Sequence, residues 1–203
     1  VEDADVVIDF STAKAVDLLL EDCLVKKIPL VLCTTGLSEK QIRRVEDVSR
    51  EIPVLMSANM SLGINVLRKI LYDHAALLAE SGFDIEIVEK HHNQKLDAPS
   101  GTAIALAEAV NASLEREGEN PYEYIYDRSG RREKRPHEEI GISAVRGGTI
   151  VGDHDVIFAG GDEVITLSHR AYSRAIFAKG ALTAAKFLAG KEAGLYEMAD
   201  VIG

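Results

Sequence analysis

Over residues 6–56, short continuous apolar runs alternate with stretches in which apolar side chains recur every three or four positions. The runs VVIDF (6–10), IPLVLC (28–33) and IPVLM (52–56) have the composition of strands covered on both faces. Between the first two, Val16, Leu19, Leu20 and Cys23 fall on one stripe, so residues 12–27 are predicted to be helical. A second helix is predicted to begin at Ser38. There Ser38 and Gln41 form an S-x-x-Q capping box, and Leu37 and Ile42 occupy the two staple positions. Strands separated by helices of this length imply βαβ units and a parallel sheet.

From Leu62 the pattern changes. Ile64, Leu67, Leu71, Ala75 and Leu78 define a helix over 62–80, and DIEIVE (84–89) alternates as a strand with one covered face. A loop over 93–99 leads into a helix over 101–116, with Ala103, Ala107, Val110 and Leu114 as its stripe. Residues 139–170 alternate in strand fashion, broken by Gly-Gly and Gly-Asp turns, and are expected to form an antiparallel meander. A closing helix is expected over about 173–189, with Phe177, Ala181, Ala184 and Leu188 in register. The fold class is therefore α/β: a parallel-sheet part, then an α+β part with a mixed or antiparallel sheet.

Composition narrows the function classes. In 203 residues, 23 Lys and Arg stand against 33 Asp and Glu, a formal net charge of −10. With 46% hydrophobic residues, intrinsic disorder is excluded. The acidic balance argues against nonspecific nucleic-acid binding, which needs a basic face. No run approaches the ~18 uninterrupted apolar residues of a membrane span, and nothing resembles a signal peptide, so a cytoplasmic protein is expected. Cys23 and Cys33 are too few for a disulfide framework and lie in apolar surroundings, as reduced core thiols do. The basic run RSGRREKR (128–135) has no interleaved aromatic residue and is expected to be a solvated loop.

The stretch richest in chemistry is EKHHNQKLDAPSGTA (89–103). Pro99 biases Ala98 away from helical geometry, so a helix begins just afterwards, with Ser100 near its N-cap and Gly101 and Thr102 in its first turn. Free N–H groups, two hydroxyls and the helix dipole make a ready anion site. Lys95, His91 and His92 approach it from the preceding loop with positive charge and a transferable proton. Asp97 is expected in an Asx turn. Glu89, His91 and His92 could be read as metal ligands. Adjacent histidines at a strand end, however, point to opposite sides, and no H-x-x-x-H spacing supports them, so no metal is assigned.

Those fifteen residues closely resemble the signature of the 4-hydroxy-tetrahydrodipicolinate reductases (dihydrodipicolinate reductases) of the diaminopimelate route of lysine biosynthesis. The resemblance implies His91 and Lys95 as catalytic groups. It implies His92, Lys95, Ser100, Gly101 and Thr102 as the holders of the two substrate carboxylates. CTTGL (33–37) resembles the family's loop after a Rossmann strand and SANMSLGIN (57–65) its hinge. HRAYSRAIFAKGA (169–181) resembles the segment that returns the chain to the nucleotide domain. These imply Thr34, Thr35, Gly36, Ala58, Asn59, Met60, Arg174 and Phe177 as cofactor-binding residues, for NADH or NADPH. RGGTIVGD (146–153) and KEAG (191–194) match as well, and the resemblance spans residues 4–201.

The implied organisation is a Rossmann-like dinucleotide-binding domain, 1–61 and 174–203, and a substrate-binding and tetramerisation domain, 62–173. Family members open with a strand, a G-x-x-G-[RK]-M-G loop and a helix. The dinucleotide-binding domain is therefore expected to be N-terminally incomplete here. The expected reaction is reduction of 4-hydroxy-tetrahydrodipicolinate to tetrahydrodipicolinate, with a dicarboxylate substrate and further copies of the chain, as a homotetramer, for partners. The rival readings are a noncatalytic substrate-binding and oligomerising remnant of this family, and a metal-dependent hydrolase built on Glu89, His91 and His92.

Overall fold

The computed structural model describes residues 4–57 and 59–203. Two compact units emerge, one taking the chain up to Asn65 and again from Ala175, the other Val66–Arg174.

The first unit is built on β1 (Val7–Asp9), β2 (Leu30–Leu32), β3 (Pro53–Met56) and β9 (Gly194–Tyr196), in the order β1-β2-β3-β9 and all parallel. Helices α1 (Ala13–Lys26) and α2 (Glu39–Ser49) cover one face, where Val16, Leu20, Val45 and Val48 pack on Leu30, Leu32 and Val54. Helix α5 (Ala175–Leu188) and the short α6 (Met198–Ile202) cover the other, with Ala181, Ala184, Leu188 and Met198 on Val31 and Leu55. Burial on both faces is why these strands read as unbroken apolar runs. The capping box forms as the sequence indicated: the Ser38 side chain accepts from the Gln41 N–H, and the Gln41 side chain accepts from the Ser38 N–H. Strand β9 is three residues long and escaped prediction. Both cysteines are buried free thiols, and burial pushes the Cys23 thiol up to about 11 and that of Cys33 to about 12.

Helix α3 (Leu62–Glu80) carries the chain into the second unit. Its sheet comprises β4 (Asp84–His91), β5 (Glu123–Ile125), β6 (Glu139–Arg146), β7 (Gly152–Ala159) and β8 (Val164–Ala171), in the order β5-β6-β4-β7-β8. α3 and α4 (Gly101–Arg116) cover one face, where Leu67, Leu71, Leu106 and Val110 meet Ile85, Ile87, Val156 and Phe158. The expected meander over 139–170 is corrected here. Only β7 and β8 pair as consecutive antiparallel strands, while β4 separates β6 from β7 and runs parallel to β6. Alternation reports which side chains face the core but not which strand lies alongside, and that ambiguity misled the prediction.

The basic run is a largely exposed loop, but three of its arginines are held in ion pairs rather than left to solvent. Arg128 pairs with Glu86 and Glu139, Arg131 with Glu139, and Arg135 with Glu86 and Asp84, all at 2.7 to 3.1 Å. A Cβ on Gly141 would collide with the Glu86 carboxylate and the Arg128 guanidinium, so glycine there makes room for the pair. The described residues include no helix long and apolar enough to cross a membrane.

Candidate active site

The second unit's site grows from the register of three strands. Along β4 the inward positions are Ile85, Ile87, Glu89 and His91, so a carboxylate and an imidazole continue an otherwise apolar row. Glu89 is fully buried and His91 is 8% exposed. Because β6 lies beside β4, Arg146 reaches Glu89 from one side; His154 of β7 stands directly opposite Glu89 on the other. The corrected strand order is what assembles this cluster.

A buried carboxylate needs a partner for every lone pair it turns away from water. Arg146 binds Glu89 in bidentate fashion, Nη1 to Oε2 and Nη2 to Oε1, both at 2.7 Å. Oε2 also meets His91 Nδ1 at 2.6 Å, and Oε1 accepts the Ser100 N–H at 2.9 Å. Burial by itself raises the Glu89 pKa, but the bonds from Arg146, His91 and Ser100 outweigh it, and the group is held below the ordinary carboxylate range. Glu89 is thus a fixed anion. His91 is shifted below the usual histidine value, chiefly by burial, with the Glu89 contact opposing the shift.

Ser100 is the N-cap of α4 and is 2% exposed; its Oγ accepts from the Ala103 N–H at 3.2 Å and lies 3.1 Å from His154 Nε2. Its N–H and hydroxyl both serve the protein interior, so Ser100 sets the turn while Gly101, exposed with open space where a Cβ would stand, and the half-buried Thr102 front it. Burial, then the neighbouring His91, pushes the His154 pKa down to about 4. The two imidazoles meet edge to face at 5.1 Å, and a Cβ on Gly152 would come within 3.0 Å of His91 Nε2.

Lys95 Nζ pairs with Asp97 Oδ1 at 2.8 Å, so Asp97 is the lysine's resident counter-ion as well as a turn residue. The Asp97 carbonyl accepts from Arg146 Nη2 at 2.7 Å, tying the loop to the same guanidinium that holds Glu89. His92, with Asn93, Gly148 and Arg174, lines a cavity of about 370 Å³ that none of His91, Lys95, Ser100, Gly101 or Thr102 lines. A larger cavity, of about 600 Å³ beside Tyr122 and His137, is lined by none of the sequence-predicted site residues. The metal reading fails on the donors themselves, since both Glu89 oxygens are committed to Arg146, His91 and Ser100. Among the described residues no three His, Cys, Asp or Glu side chains converge to hold a metal ion.

In the first unit, the loops after β2 and β3 leave the same carboxyl edge of a parallel sheet, where open α/β sheets take their ligands. Thr34 spends its hydroxyl on Asp9, at 2.5 Å, which leaves Thr35 and Gly36 as the exposed part of the loop. Gly36 has φ 74°, a conformation that favours glycine. After β3, the Asn59 carbonyl accepts from Ser57 Oγ and Asn65 Nδ2, and Asn59 Oδ1 accepts from the Ser61 N–H. Met60 is buried and its carbonyl lies against Gly180, where a Cβ would collide with it. Phe177 is half-buried and packs on the α5 side of the core, whereas Arg174, the last residue of the second unit, is exposed. Ala58 lies outside the described residues.

Comparison with known proteins settles the kinship. Residues 1–60 match the family described as dihydrodipicolinate reductase, N-terminus, and residues 63–202 match dihydrodipicolinate reductase, C-terminus. The chain belongs to the dihydrodipicolinate reductase family. It is accordingly an oxidoreductase of a family whose chemistry calls for a nicotinamide cofactor. A relative from Caldanaerobacter subterraneus subsp. tengcongensis, named 4-hydroxy-tetrahydrodipicolinate reductase, is 57% identical over 99% of this chain and 78% of its own length. One of the same name from Clostridium tetani is 52% identical over 97% of this chain and 74% of its own. A solved dipicolinate-bound dihydrodipicolinate reductase from Paenisporosarcina sp. TG-14 superposes with a TM-score of 0.71 at 27% identity, covering 95% of this chain and 71% of that one.

For a dihydrodipicolinate reductase family member, the residues missed as site components are Arg146 and His154, Glu89, which the sequence reading considered only as a metal ligand, and Asp9 in the first unit. His154 carried a usable signal: it is in phase with Val156 and Phe158, so period two alone turns it inward. Arg146 opens the RGGTIVGD segment that matches the family, but nothing in the sequence named Glu89 as its partner, because only the strand order brings the two together.

Proposed function

We propose that this chain reduces 4-hydroxy-tetrahydrodipicolinate to tetrahydrodipicolinate, using NADH or NADPH, in the diaminopimelate route to lysine. The observation that carries this reading is a single buried carboxylate, Glu89, holding both a titratable imidazole and the N-terminus of a helix. A proton donor beside an anion cradle suits a dianionic cyclic imine that must be protonated as it is reduced.

The carboxyl edge of the four-stranded sheet suits the cofactor: Thr35 and Gly36 offer an exposed turn and Asn59 and Met60 a tightly knit second loop; the sequence resemblance alone adds Thr34, Arg174, Phe177 and Ala58. When bound, the reduced nicotinamide supplies a hydride to the ring. In the substrate, the 4-hydroxyl leaves as water together with a proton from the adjacent ring carbon, the conjugated ring so formed takes up the hydride, and one proton is then returned to carbon. The imidazolium of His91 gives that proton from Nε2 and keeps Nδ1–H on Glu89. Lys95, released from Asp97, assists by meeting a substrate carboxylate. Gly101, Thr102 and His92 hold the carboxylates, on a turn shaped by Ser100. Assembly as a homotetramer through the uncovered face of the five-stranded sheet, which displays Val145 and Val164, belongs to the same reading.

The test is nicotinamide oxidation by the native chain. Oxidation is expected only when 4-hydroxy-tetrahydrodipicolinate is supplied; none above the uncatalysed rate contradicts the reading, and binding of dipicolinate without oxidation marks a noncatalytic remnant. Thr102→Val is expected to weaken dipicolinate binding more than nicotinamide binding. Sedimentation at the mass of a single chain would remove the tetramer.

A further inference from the structure

Resting on the reading of His91 as proton donor, we propose that Glu89, clamped by Arg146, is the positioning residue that fixes the tautomer and ring orientation of His91 and ties it to the N-terminus of α4.

The division of the carboxylate's bonds carries the argument. Arg146 alone, in bidentate contact, would satisfy the charge of Glu89. Yet each oxygen takes a second donor from a different element, Oε2 from the His91 ring and Oε1 from the Ser100 backbone. An ionised carboxylate only accepts, so His91 Nδ1 must carry a hydrogen in both protonation states. Nε2 is then the sole nitrogen that can gain or lose a proton, and it lies over Gly152, where no side chain intrudes. The Ser100 bond holds the first turn of α4 to the same carboxylate, which sets the spacing between donor and cradle. Arg146 adds the Asp97 carbonyl, so the intervening loop is pinned from the same point. Glu89 takes no proton itself and touches no substrate in this scheme.

The charged and titratable groups facing His91 are Glu89 on its own strand, Arg146 from β6, His154 from β7, and Lys95 with Asp97 from the loop after β4. Glu89 alone among the close partners favours the imidazolium, while Arg146 and Lys95 oppose it. Replacing Glu89 by Gln leaves both cations in place, so the pH at which His91 takes up its proton moves lower.

The experiment is nitrogen-15 NMR of histidine-labelled protein, with steady-state kinetics across pH. In the native protein neutral His91 is expected as the Nδ1–H tautomer; the Nε2–H tautomer would overturn the proposal, with no variant required. Glu89→Gln is expected to shift the tautomer, to move the falling limb of the kcat profile to lower pH, and to lower kcat on the order of 10²-fold. The KM for the dicarboxylate should change little, because the Gln oxygen still accepts from Ser100. An unchanged tautomer in this variant contradicts the proposal whatever the turnover. Arg146→Lys retains a cation without the fork and is expected to give a smaller loss in the same direction; if Glu89→Gln does not fold, native-like tautomer and turnover in Arg146→Lys count against the clamp. A shifted tautomer with intact kcat upholds the positioning and removes His91 as the proton donor, a role that His91→Ala tests separately.

Discussion

The two units bury polar groups at the ends of their strands by different means. In the first, Asp9, Thr34, Ser61 and Asn65 are buried, and their bonds run to hydroxyls, amides and backbone: Thr34 Oγ1 to Asp9, the Ser11 N–H to Asp9, Asn65 Nδ2 to two carbonyls. In the second, the buried carboxylates Glu89 and Glu139 are each met by guanidinium, from Arg146 and from Arg128 and Arg131. Neutral partners shape a loop without adding a second charge beside Asp9. Ion pairs hold charge in place at the cost of desolvation and fail badly when one partner is lost.

This contrast can be broken most strongly at Glu89. Glu89→Ala removes the shared acceptor of the partly buried Arg146, the buried His91 and the Ser100 N–H, and is expected to cost about 3–5 kcal/mol in urea unfolding; a loss under about 1 kcal/mol would show that Glu89 is not the hub of these bonds. Acid should act next, through His154. Above pH 6.5 the folded and unfolded chains both hold it neutral. Below that, the unfolded chain takes up a proton that the folded chain refuses until about pH 4. Stability is therefore lost as pH falls through this window, by up to about 3 kcal/mol from this one residue. His154→Gln should flatten that loss, and an equal slope in both proteins would assign the acid sensitivity elsewhere.

The first unit should respond through sterics. Gly180→Ala drives a methyl against the Met60 carbonyl, and about 1–3 kcal/mol of destabilisation is expected in thermal melts, with weaker nicotinamide binding. Unchanged binding would separate Met60 from the cofactor. The smallest effect is expected at Ser38→Ala, where loss of the capping box costs about 1 kcal/mol and leaves turnover untouched.

How much of this was legible in the sequence differed between the units in a way that follows from the same physics. Local signals carried well: the Ser38 cap, the Ser100 cap and the apolar runs of the parallel sheet all depend on residues close in sequence. The fifteen-residue run from Glu89 pointed to the buried Glu89–His91–Ser100 cluster because its parts are close in sequence. What failed depended on pairing between distant strands. The insertion of β4 between β6 and β7 brings Arg146 and His154 to Glu89, and nothing in the alternation of residues 139–170 encodes it. Arg128 and Arg135 looked solvated for the same reason, as their partners Glu86 and Asp84 sit some forty to fifty positions away.

The central claim is that the Glu89-centred cluster is a reductase site in which His91 donates the proton. It is tested most directly by steady-state reduction of 4-hydroxy-tetrahydrodipicolinate by the native chain and by folded His91→Ala and Lys95→Ala variants. Turnover by the native chain, with losses of about 10²- to 10⁴-fold in His91→Ala and a substantial loss in Lys95→Ala, is the expected result. Near-native rates in both variants, with their fold intact, would contradict it.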